Sequence, residues 1–285
     1  MTVDVLRAGP LTTVQDLGRP GWAHLGVPRS GALDASALRL ANRLVGNATD
    51  AAGLEVTAGG CSLRLSSAGT VALTGACAPF SVDGRPAAYG VPVAVPAGAV
   101  ISVGRALYGV RSYLAVAGGI AVEPVLGSRS TDTLSGLGPA QLRDGDRLPL
   151  GSAGTPSTVD FVPWEPPPAA LHLWIRLGPR DGWFTREAVE ALLGTAYTMS
   201  PVSNRVGARL TGAALPRASG VQAAELPSEG VVLGAVQVPA NGQPLIFLAD
   251  HPTTGGYPVI GVVDDVSPLA QAAPGTTVRF HGSER

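Results

Sequence analysis

Glycine and proline divide this sequence into short segments, and this constrains its fold more than any other feature. The 285 residues include 38 Gly and 25 Pro, which together make up more than a fifth of the chain. Both residues interrupt helices and favour turns, and here they separate short apolar runs rather than gathering in one tract. The pattern predicts a folded, mainly β chain with many turns and only a few short helices.

Strand-like runs between 54 and 148 recur at regular spacing, which is typical of a β-barrel or sandwich. Residues 151–170 are rich in Gly, Pro and Ser and predict a linker. We therefore expect an N-terminal β-barrel-like subdomain at 1–150 and a C-terminal subdomain at 171–285. Helices are predicted at about 34–45, capped by Asp34, and at about 186–193, capped by Thr185.

The composition excludes several classes of function. A net charge of −1 with 14% charged residues argues against recruitment to nucleic acid or to an anionic membrane surface. No apolar run approaches the roughly 20 residues of a membrane-spanning helix. The sequence contains no Lys, which excludes a Schiff-base lysine and a P-loop. We expect Cys61 and Cys77 to be buried free thiols and the protein to be cytoplasmic.

The segment 228–263 carries the strongest local signals. Two apolar runs, 231–238 and 245–249, flank Asn241-Gly242, which predicts a β-hairpin. The chain then enters Asp-His-Pro-Thr-Thr-Gly-Gly-Tyr-Pro at 250–258. This loop fits either of two interpretations. It is a tight turn between strands, or its glycines let backbone N–H groups bind an anion.

Two further polar loops are candidates for a site. Residues 9–22 contain Gln15, Asp16 and Arg19, and an Asp–Arg pair of this kind either pins a loop or binds a ligand. Residues 126–133 contain Gly-Ser-Arg-Ser-Thr, which could hold a phosphate or carboxylate or simply connect two strands. No metal-ligand spacing, nucleophile elbow or dinucleotide fingerprint is complete. From the residues alone, we predict polar loops around a small anionic molecule and no metal.

Motifs along almost the whole chain resemble those of one family. They are TTVQDLGRPG (12–21), GVPxSGALD (26–34), LANRLVGN (40–47), YLAVAGGI (113–120), LGSRSTD (126–132), SNRVGARLxG (203–212), SEG (228–230), QVPxxGQP (237–244) and TTGGYP (253–258). In this order they resemble the family of the 5-oxoprolinase C subunit, also labelled allophanate hydrolase subunit 2 or biotin-dependent carboxyltransferase.

This resemblance implies two cyclophilin-like β-barrel subdomains and, as partners, the 5-oxoprolinase subunits A and B. It implies an ATP-dependent enzyme that hydrolyses 5-oxo-L-proline to L-glutamate, with ATP as co-substrate of the complex. Two alternatives remain: a carboxyltransferase component of a biotin-dependent urea carboxylase, and a regulatory partner of a protein like the B subunit. Because the chain has no Lys, biotin could arrive only on a partner. A homo-oligomer is also possible.

The matched loops supply candidate site residues. The resemblance indicates three catalytic residues: Asp16 or Glu229 as a base, and Tyr257 as a ring-orienting group or proton donor. Candidate substrate- or phosphate-binding residues are Arg19, Arg129, Ser130, Thr131, Asn204, Arg205, Gln237, Thr253, Thr254, Gly255 and Gly256. Pro252, Val259 and Asn204 depart from the family pattern. The loss of a cation beside the glycine loop either argues against phosphate binding by this loop or moves that role to Arg205 or Arg129.

Overall fold

The computed structural model describes residues 1–156, 162–163, 165–221 and 226–283. The chain divides into two compact units. The first contains Met1–Arg19 and Ser30–Pro167, and the second contains Pro20–Arg29 and Pro168–Arg285. The sequence-based boundary at 150 assigned residues 20–29 to the first subdomain, whereas the structure groups them with the second unit. Within the predicted linker, residues 157–161 and 164 lie outside the described residues.

Of the helices and strands described in the first unit, all but one helix are strands. Its elements are β1 (Thr2–Arg7), β2 (Leu11–Gln15), α1 (Ala35–Leu44), β3 (Gly53–Thr57), β4 (Cys61–Leu65), β5 (Gly69–Cys77), β6 (Phe80–Val82), β7 (Arg85–Pro86), β8 (Val93–Val95), β9 (Val100–Val103), β10 (Tyr108–Val116) and β11 (Arg147–Pro149). They form a six-stranded sheet in the order β11-β1-β4-β9-β6-β7 and a five-stranded sheet in the order β2-β3-β10-β5-β8. Alternating aliphatic residues of both sheets build one buried core.

Helix α1 begins where the sequence predicted. The Asp34 side chain accepts a hydrogen bond from the Ala37 backbone N–H at 2.9 Å, which satisfies one of the free donors of the first turn. A buried carboxylate holds the same region: Glu55 Oε2 accepts hydrogen bonds from the Tyr113 hydroxyl at 2.7 Å and the Leu33 N–H at 3.0 Å. The helix therefore starts at a fixed point above the five-stranded sheet.

The second unit contains a closed barrel. Its elements are β12 (Ala170–Leu177), α2 (Arg186–Gly194), β13 (Ala196–Met199), β14 (Gly207–Thr211), β15 (Glu229–Gly230), β16 (Ala235–Gln237), β17 (Leu245–Phe247), β18 (Thr254–Gly255), β19 (Val259–Val263) and β20 (Thr277–Gly282). Seven strands close in the order β12-β19-β16-β17-β14-β13-β20, and β15 pairs with β18 in a separate two-stranded sheet. The described residues of this unit also contain three short 3₁₀ helices, at Ala23–Leu25, Asp181–Trp183 and Ser267–Gln271.

Period-two alternation explains why these strands close around an apolar interior. Along β12, residues 171, 173 and 175 are buried aliphatics, whereas residues 172, 174 and 176 are exposed. Tyr197 and Phe280 meet edge-to-face inside, with ring centroids 5.9 Å apart. The predicted mainly β fold with short helices is confirmed. The predicted hairpin around Asn241-Gly242 is also confirmed, because Val236 pairs with Ile246.

The two cysteines differ in exposure. Cys61 is buried, and burial raises the pKa of its thiol to about 11. The expectation of burial is wrong for Cys77, which is partly exposed at the last position of β5. The reason is that Cys77 pairs with Tyr108, the first residue of β10, which is itself 57% exposed. Both thiols are free.

The described ranges contain neither a membrane-spanning helix nor a metal-binding cluster. Among these residues, no helix has the length and apolar character needed to cross a lipid bilayer. Within the same ranges, His, Cys, Asp and Glu side chains nowhere gather in threes in a way that could hold a metal ion.

Candidate functional site

Asp16 is the centre of the polar cluster in the first unit. It follows β2 directly and is 7% exposed. Its Oδ1 accepts hydrogen bonds from the Ser128 and Ser130 hydroxyls, both at 2.6 Å, and from the Gly18 N–H at 2.8 Å. Its Oδ2 accepts from the Arg129 N–H at 2.5 Å. One carboxylate therefore joins the end of β2 to the loop 126–132.

This geometry favours an anchoring role for Asp16. A general base needs an oxygen that can approach the substrate proton, whereas the Asp16 oxygens already accept four hydrogen bonds. Loss of the carboxylate would leave the buried Ser128 and Ser130 hydroxyls without this acceptor, at a cost of about 1–3 kcal/mol each. The catalytic role assigned to Asp16 on resemblance stays a prediction.

The two predicted arginines of this unit bind backbone carbonyl groups of the same region. Arg19 is buried, and its guanidinium donates to the carbonyl oxygens of Val125 and Ser130. Arg129 is partly exposed and donates from Nε to the Val122 carbonyl at 2.7 Å. Both side chains therefore support the loop that the sequence singled out. Phosphate binding by them stays a prediction.

Ser130 and Thr131 complete this cluster. The Ser130 hydroxyl accepts a hydrogen bond from the Asp16 N–H at 3.0 Å in addition to donating to its carboxylate. The Gln15 side-chain amide donates to the Thr131 carbonyl at 3.0 Å. The structure thus brings together Asp16, Arg19, Arg129, Ser130 and Thr131 within the first unit, as a hydrogen-bonded loop support.

In the second unit, Arg205 forms a buried ion pair with Asp250. The guanidinium Nε and Nη2 each lie 2.9 Å from one carboxylate oxygen, and the two residues are 1% and 0% exposed. The pair joins the turn before β14 to the end of β17, next to the Asp250 N–H bond to the Arg205 carbonyl. Asp250 therefore neutralises the positive charge of Arg205 inside the protein through two hydrogen bonds.

Asn204 shapes the turn that presents Arg205. Its side-chain oxygen accepts hydrogen bonds from the backbone N–H groups of Val206 at 2.9 Å and Gly207 at 3.2 Å. This is an Asx turn, in which the side chain substitutes for a backbone acceptor. The role of Asn204 as a ligand-binding residue stays a prediction.

The glycine loop 253–258 is held on both sides by backbone pairing. Strand β18 pairs with β15, so that Glu229 faces Gly255. The Gln237 side chain donates to the Tyr257 carbonyl at 3.0 Å, and a Cβ added to Gly255 would lie 2.5 Å from the Gln237 Nε2. Glycine at 255 therefore makes room for this amide. Thr253 is partly buried, whereas Thr254, Gly256 and Tyr257 are exposed.

Glu229 forms an ion pair with Arg180. The guanidinium donates to both carboxylate oxygens, with Nε and Oε2 3.1 Å apart. The hydrogen bond from Arg180 holds the pKa of Glu229 below its ordinary value of 4.5. A general base working near neutral pH needs a pKa close to that pH, so this shift runs against the base role that the resemblance suggested.

We expect Arg180→Gln to raise the pKa of Glu229 toward its ordinary value, as measured by NMR titration of the carboxyl carbon. The wild-type pair contributes stability above the ordinary pKa, and this contribution is lost as the pH falls through the lowered pKa. Wild type and variant should therefore differ in stability by a constant amount between pH 5 and 8 and converge in acid. Arg186→Gln, which breaks only the exposed pair with Glu190, is the control. An unchanged pKa of Glu229 in Arg180→Gln would contradict this assignment.

A cavity of about 420 Å³ lies on the barrel unit beside the glycine loop. Two of the predicted site residues, Gln237 and Tyr257, line it together with Arg209, Asn241 and Gln243. The volume falls in the range of small-molecule sites, about 300–1,000 Å³. Two predicted site residues thus line an open cavity of the barrel unit.

Sequence reasoning missed several residues that the structure places in these clusters. Ser128 binds the Asp16 carboxylate, Asp250 neutralises Arg205, Arg180 holds Glu229, and Arg209 lines the cavity. Ser128 and Asp250 lie inside loops that the sequence did single out, so their position was a usable signal. The pairing of Arg180 with Glu229 had no sequence signal, because the two are separated by 49 positions.

Known proteins are similar to this chain in sequence and in structure along nearly its whole length. Residues 25–282 match the family model described as carboxyltransferase domain, subdomain A and B. The chain is 41% identical to the C subunit of 5-oxoprolinase from Escherichia coli, over 97% of this chain and 89% of the relative. It is 34% identical to the same subunit of the Haemophilus influenzae enzyme, over 98% and 90%. The crystal structure of the K. lactis urea amidolyase superposes with a TM-score of 0.89 at 30% identity, covering 98% of this chain and 18% of that one.

Proposed function

Because the chain belongs to the family of the carboxyltransferase domain, subdomain A and B, we propose that it is the C subunit of a 5-oxoprolinase. In this proposal it acts with the A and B subunits to hydrolyse 5-oxo-L-proline to L-glutamate, with ATP as co-substrate of the complex. One observation carries the proposal: the 41% identity with the Escherichia coli protein, which extends over 97% of this chain and 89% of that one. ATP consumption is in keeping with the cytoplasm as the site of action.

The chemistry of the proposed reaction defines what the chain must supply. A lactam is stabilised by resonance, and phosphorylation of its carbonyl oxygen makes the carbon susceptible to water. Such a step depends on positioning and on donors directed at developing negative charge. Thr254, Tyr257 and the Gly255-Gly256 backbone are the predicted residues that lie at the surface of the glycine loop or close beneath it. We propose that Tyr257 contacts the lactam and that Thr254 and the Gly255-Gly256 backbone donate to the developing negative charge, while Asp16 and Arg205 hold the loops in place.

The test is a coupled glutamate-release assay with 5-oxoproline and ATP, using this chain with and without its candidate A and B subunits. We expect glutamate only when all three chains are present, with one ATP consumed for each glutamate released. Omission of each chain in turn provides the controls. A folded complex, shown by its elution volume to contain all three chains, that releases no glutamate would overturn the proposal.

The structural likeness to the K. lactis urea amidolyase favours one second candidate, a carboxyltransferase component that receives a carboxyl group from biotin on a partner. The two functions differ in a simple measurement. Carboxyl transfer requires a biotinylated protein and is abolished by avidin, whereas 5-oxoproline hydrolysis is indifferent to avidin. Avidin-sensitive turnover of urea by a complex containing this chain would favour the second candidate.

A further inference from the structure

The cavity beside the glycine loop has a distinctive charge. Among the described residues that line it, Arg209 carries the only charge, and none of them is Asp or Glu. The remaining polar groups are amides and hydroxyls, including Gln237, Asn241 and Gln243. A cavity with one cation and neutral hydrogen-bonding groups is suited to a small molecule with a single negative charge and an amide-like polar group.

The barrel register explains why Arg209 and Gln237 share this surface. Arg209 pairs with Leu245, and Leu245 pairs with Gln237. Residues directly opposite in antiparallel strands project to the same face, and the intervening positions, Ala208, Ile246 and Val236, are buried. The three residues therefore form a row on the outer face of the barrel. Its ends are two strand spacings, about 10 Å, apart.

The Arg209 side chain is oriented but retains donors. Its Nη1 donates to the Val202 carbonyl at 3.0 Å, and its backbone N–H donates to the Ser203 hydroxyl at 3.0 Å. In the described part of the chain, no carboxylate forms an ion pair with it. Arg209 is thus unlike Arg205, four residues earlier, whose charge is neutralised by Asp250. The guanidinium has the planar geometry that binds a carboxylate through two hydrogen bonds.

The opposite end of the row presents an oriented amide. Gln237 is 4% exposed, and its Nε2 donates to the Tyr257 carbonyl at 3.0 Å. This bond fixes which end of the amide is nitrogen and leaves Oε1 as the acceptor for a ligand N–H. Leu245 lies between the two polar residues, and Tyr257, 48% exposed, adds an aromatic ring to the lining. A flat ring bearing an N–H and a carboxylate is complementary to this row of an amide acceptor, an apolar side chain and a guanidinium.

We propose that this cavity binds a five-membered cyclic amide that carries a carboxylate, with Arg209 binding the carboxylate and Gln237 the ring amide. The proposal rests on the proposed function in naming 5-oxoproline as that molecule. It makes Arg209 a specificity-determining residue, because urea and unsubstituted lactams have no carboxylate for it to bind. Arg209 acts in recognition, and the phosphorylation and hydrolysis steps are not assigned to it.

The first experiment measures binding of two ligands to the full chain by NMR titration of the ¹⁵N-labelled protein. The ligands are 5-oxoproline and 2-pyrrolidinone, which has the same lactam ring without the carboxylate. We expect wild type to prefer 5-oxoproline by roughly 10- to 100-fold, the value of hydrogen bonds to a charged group. Arg209→Gln should lose this preference. Arg279→Gln, which removes an exposed arginine elsewhere on the barrel, should retain it.

The second experiment measures KM for 5-oxoproline in the three-subunit complex. Arg209→Gln should raise KM by a similar factor with little change in kcat, since it removes binding and not chemistry. Thermal unfolding of both variants checks that the exposed substitution leaves the fold intact. A variant that keeps the wild-type ligand preference and the wild-type KM would overturn the proposal.

The two experiments separate this proposal from the proposed function. Glutamate release with an unchanged KM in Arg209→Gln would support the function and overturn the site. Arg209-dependent binding of 5-oxoproline without glutamate release from an assembled complex would support the site and overturn the function. If the chain alone does not bind, the KM comparison decides. Absence of both binding and turnover would overturn both.

Discussion

Replacing Arg205 by Met is expected to lower the free energy of unfolding by about 3 to 5 kcal/mol, the usual cost of breaking a buried ion pair. The substitution leaves the Asp250 carboxylate in a site with 0% exposure and without its bidentate partner. Urea unfolding followed by tryptophan fluorescence measures the change. Three of the four tryptophans, Trp22, Trp174 and Trp183, belong to the same unit as the pair.

A double variant tests the physical reason for this effect. Arg205→Met combined with Asp250→Leu removes both charges, and apolar replacement of a whole buried pair is often close to neutral. We therefore expect the double variant to be more stable than Arg205→Met alone. Arg279→Met, at an exposed position of β20, is the matched control and should change stability little. A single variant as stable as this control would show that the pair does not support the barrel unit.

Replacing Asp16 by Ala is expected to destabilise the first unit by at least about 3 kcal/mol. The change leaves four donors without their acceptor: two serine hydroxyls and two backbone N–H groups. The two hydroxyls are buried and the two N–H groups partly buried; a buried donor left without an acceptor costs about 1–3 kcal/mol, and the costs are not fully additive. The measurement is urea unfolding followed by circular dichroism, with amide hydrogen exchange in the loop 126–132 as the local readout.

Two further variants separate an anchor from a catalytic base. Asp4→Ala removes an exposed carboxylate that pairs with Arg147 and should leave stability nearly unchanged, because exposed ion pairs contribute little. Asp16→Asn keeps the shape and one acceptor oxygen, so its stability should lie between wild type and Asp16→Ala. If Asp16 is the base, Asp16→Asn will abolish glutamate release at temperatures where the variant stays folded. If it is an anchor, activity will follow the folded fraction.

Two arginines of one short segment have different roles. Arg205 and Arg209 are four residues apart, and only the first is buried with a carboxylate. Substitution of Arg205 should change the free energy of unfolding, whereas substitution of Arg209 should change KM for a carboxylated ligand. The same motif thus contributes one residue to folding and one to recognition.

Local features of the fold were predictable from short-range patterns. The cap of α1 by Asp34 and the cap of α2 by Thr185 each depend on a contact three residues along the chain, which a sequence displays directly. The hairpin at Asn241-Gly242 depends on a turn that needs a positive φ, and Gly242 has φ +72°. The family was recognisable because its motifs lie in order along the chain.

The assignment of roles within the candidate site was less predictable. Asp16, Arg129, Arg205 and Glu229 all lie in loops or short strands that the sequence singled out, but the sequence did not show which groups they bind. In the structure each of these side chains binds another part of its own unit. Arg209, which pairs with no carboxylate in the described ranges, had no distinguishing signal among 20 arginines.

By itself, the sequence determined a mainly β chain with two short capped helices, a hairpin at 241–242 and a set of polar loops, because these depend on contacts within a few residues and on turn chemistry. Only the tertiary structure decided which charges are neutralised. Asp250 reaches Arg205 across 45 positions, and Ser128 reaches Asp16 across 112. Such partners are set by strand register and barrel closure, which align residues that are distant in the chain. The same alignment places Arg209 beside Gln237 at the cavity.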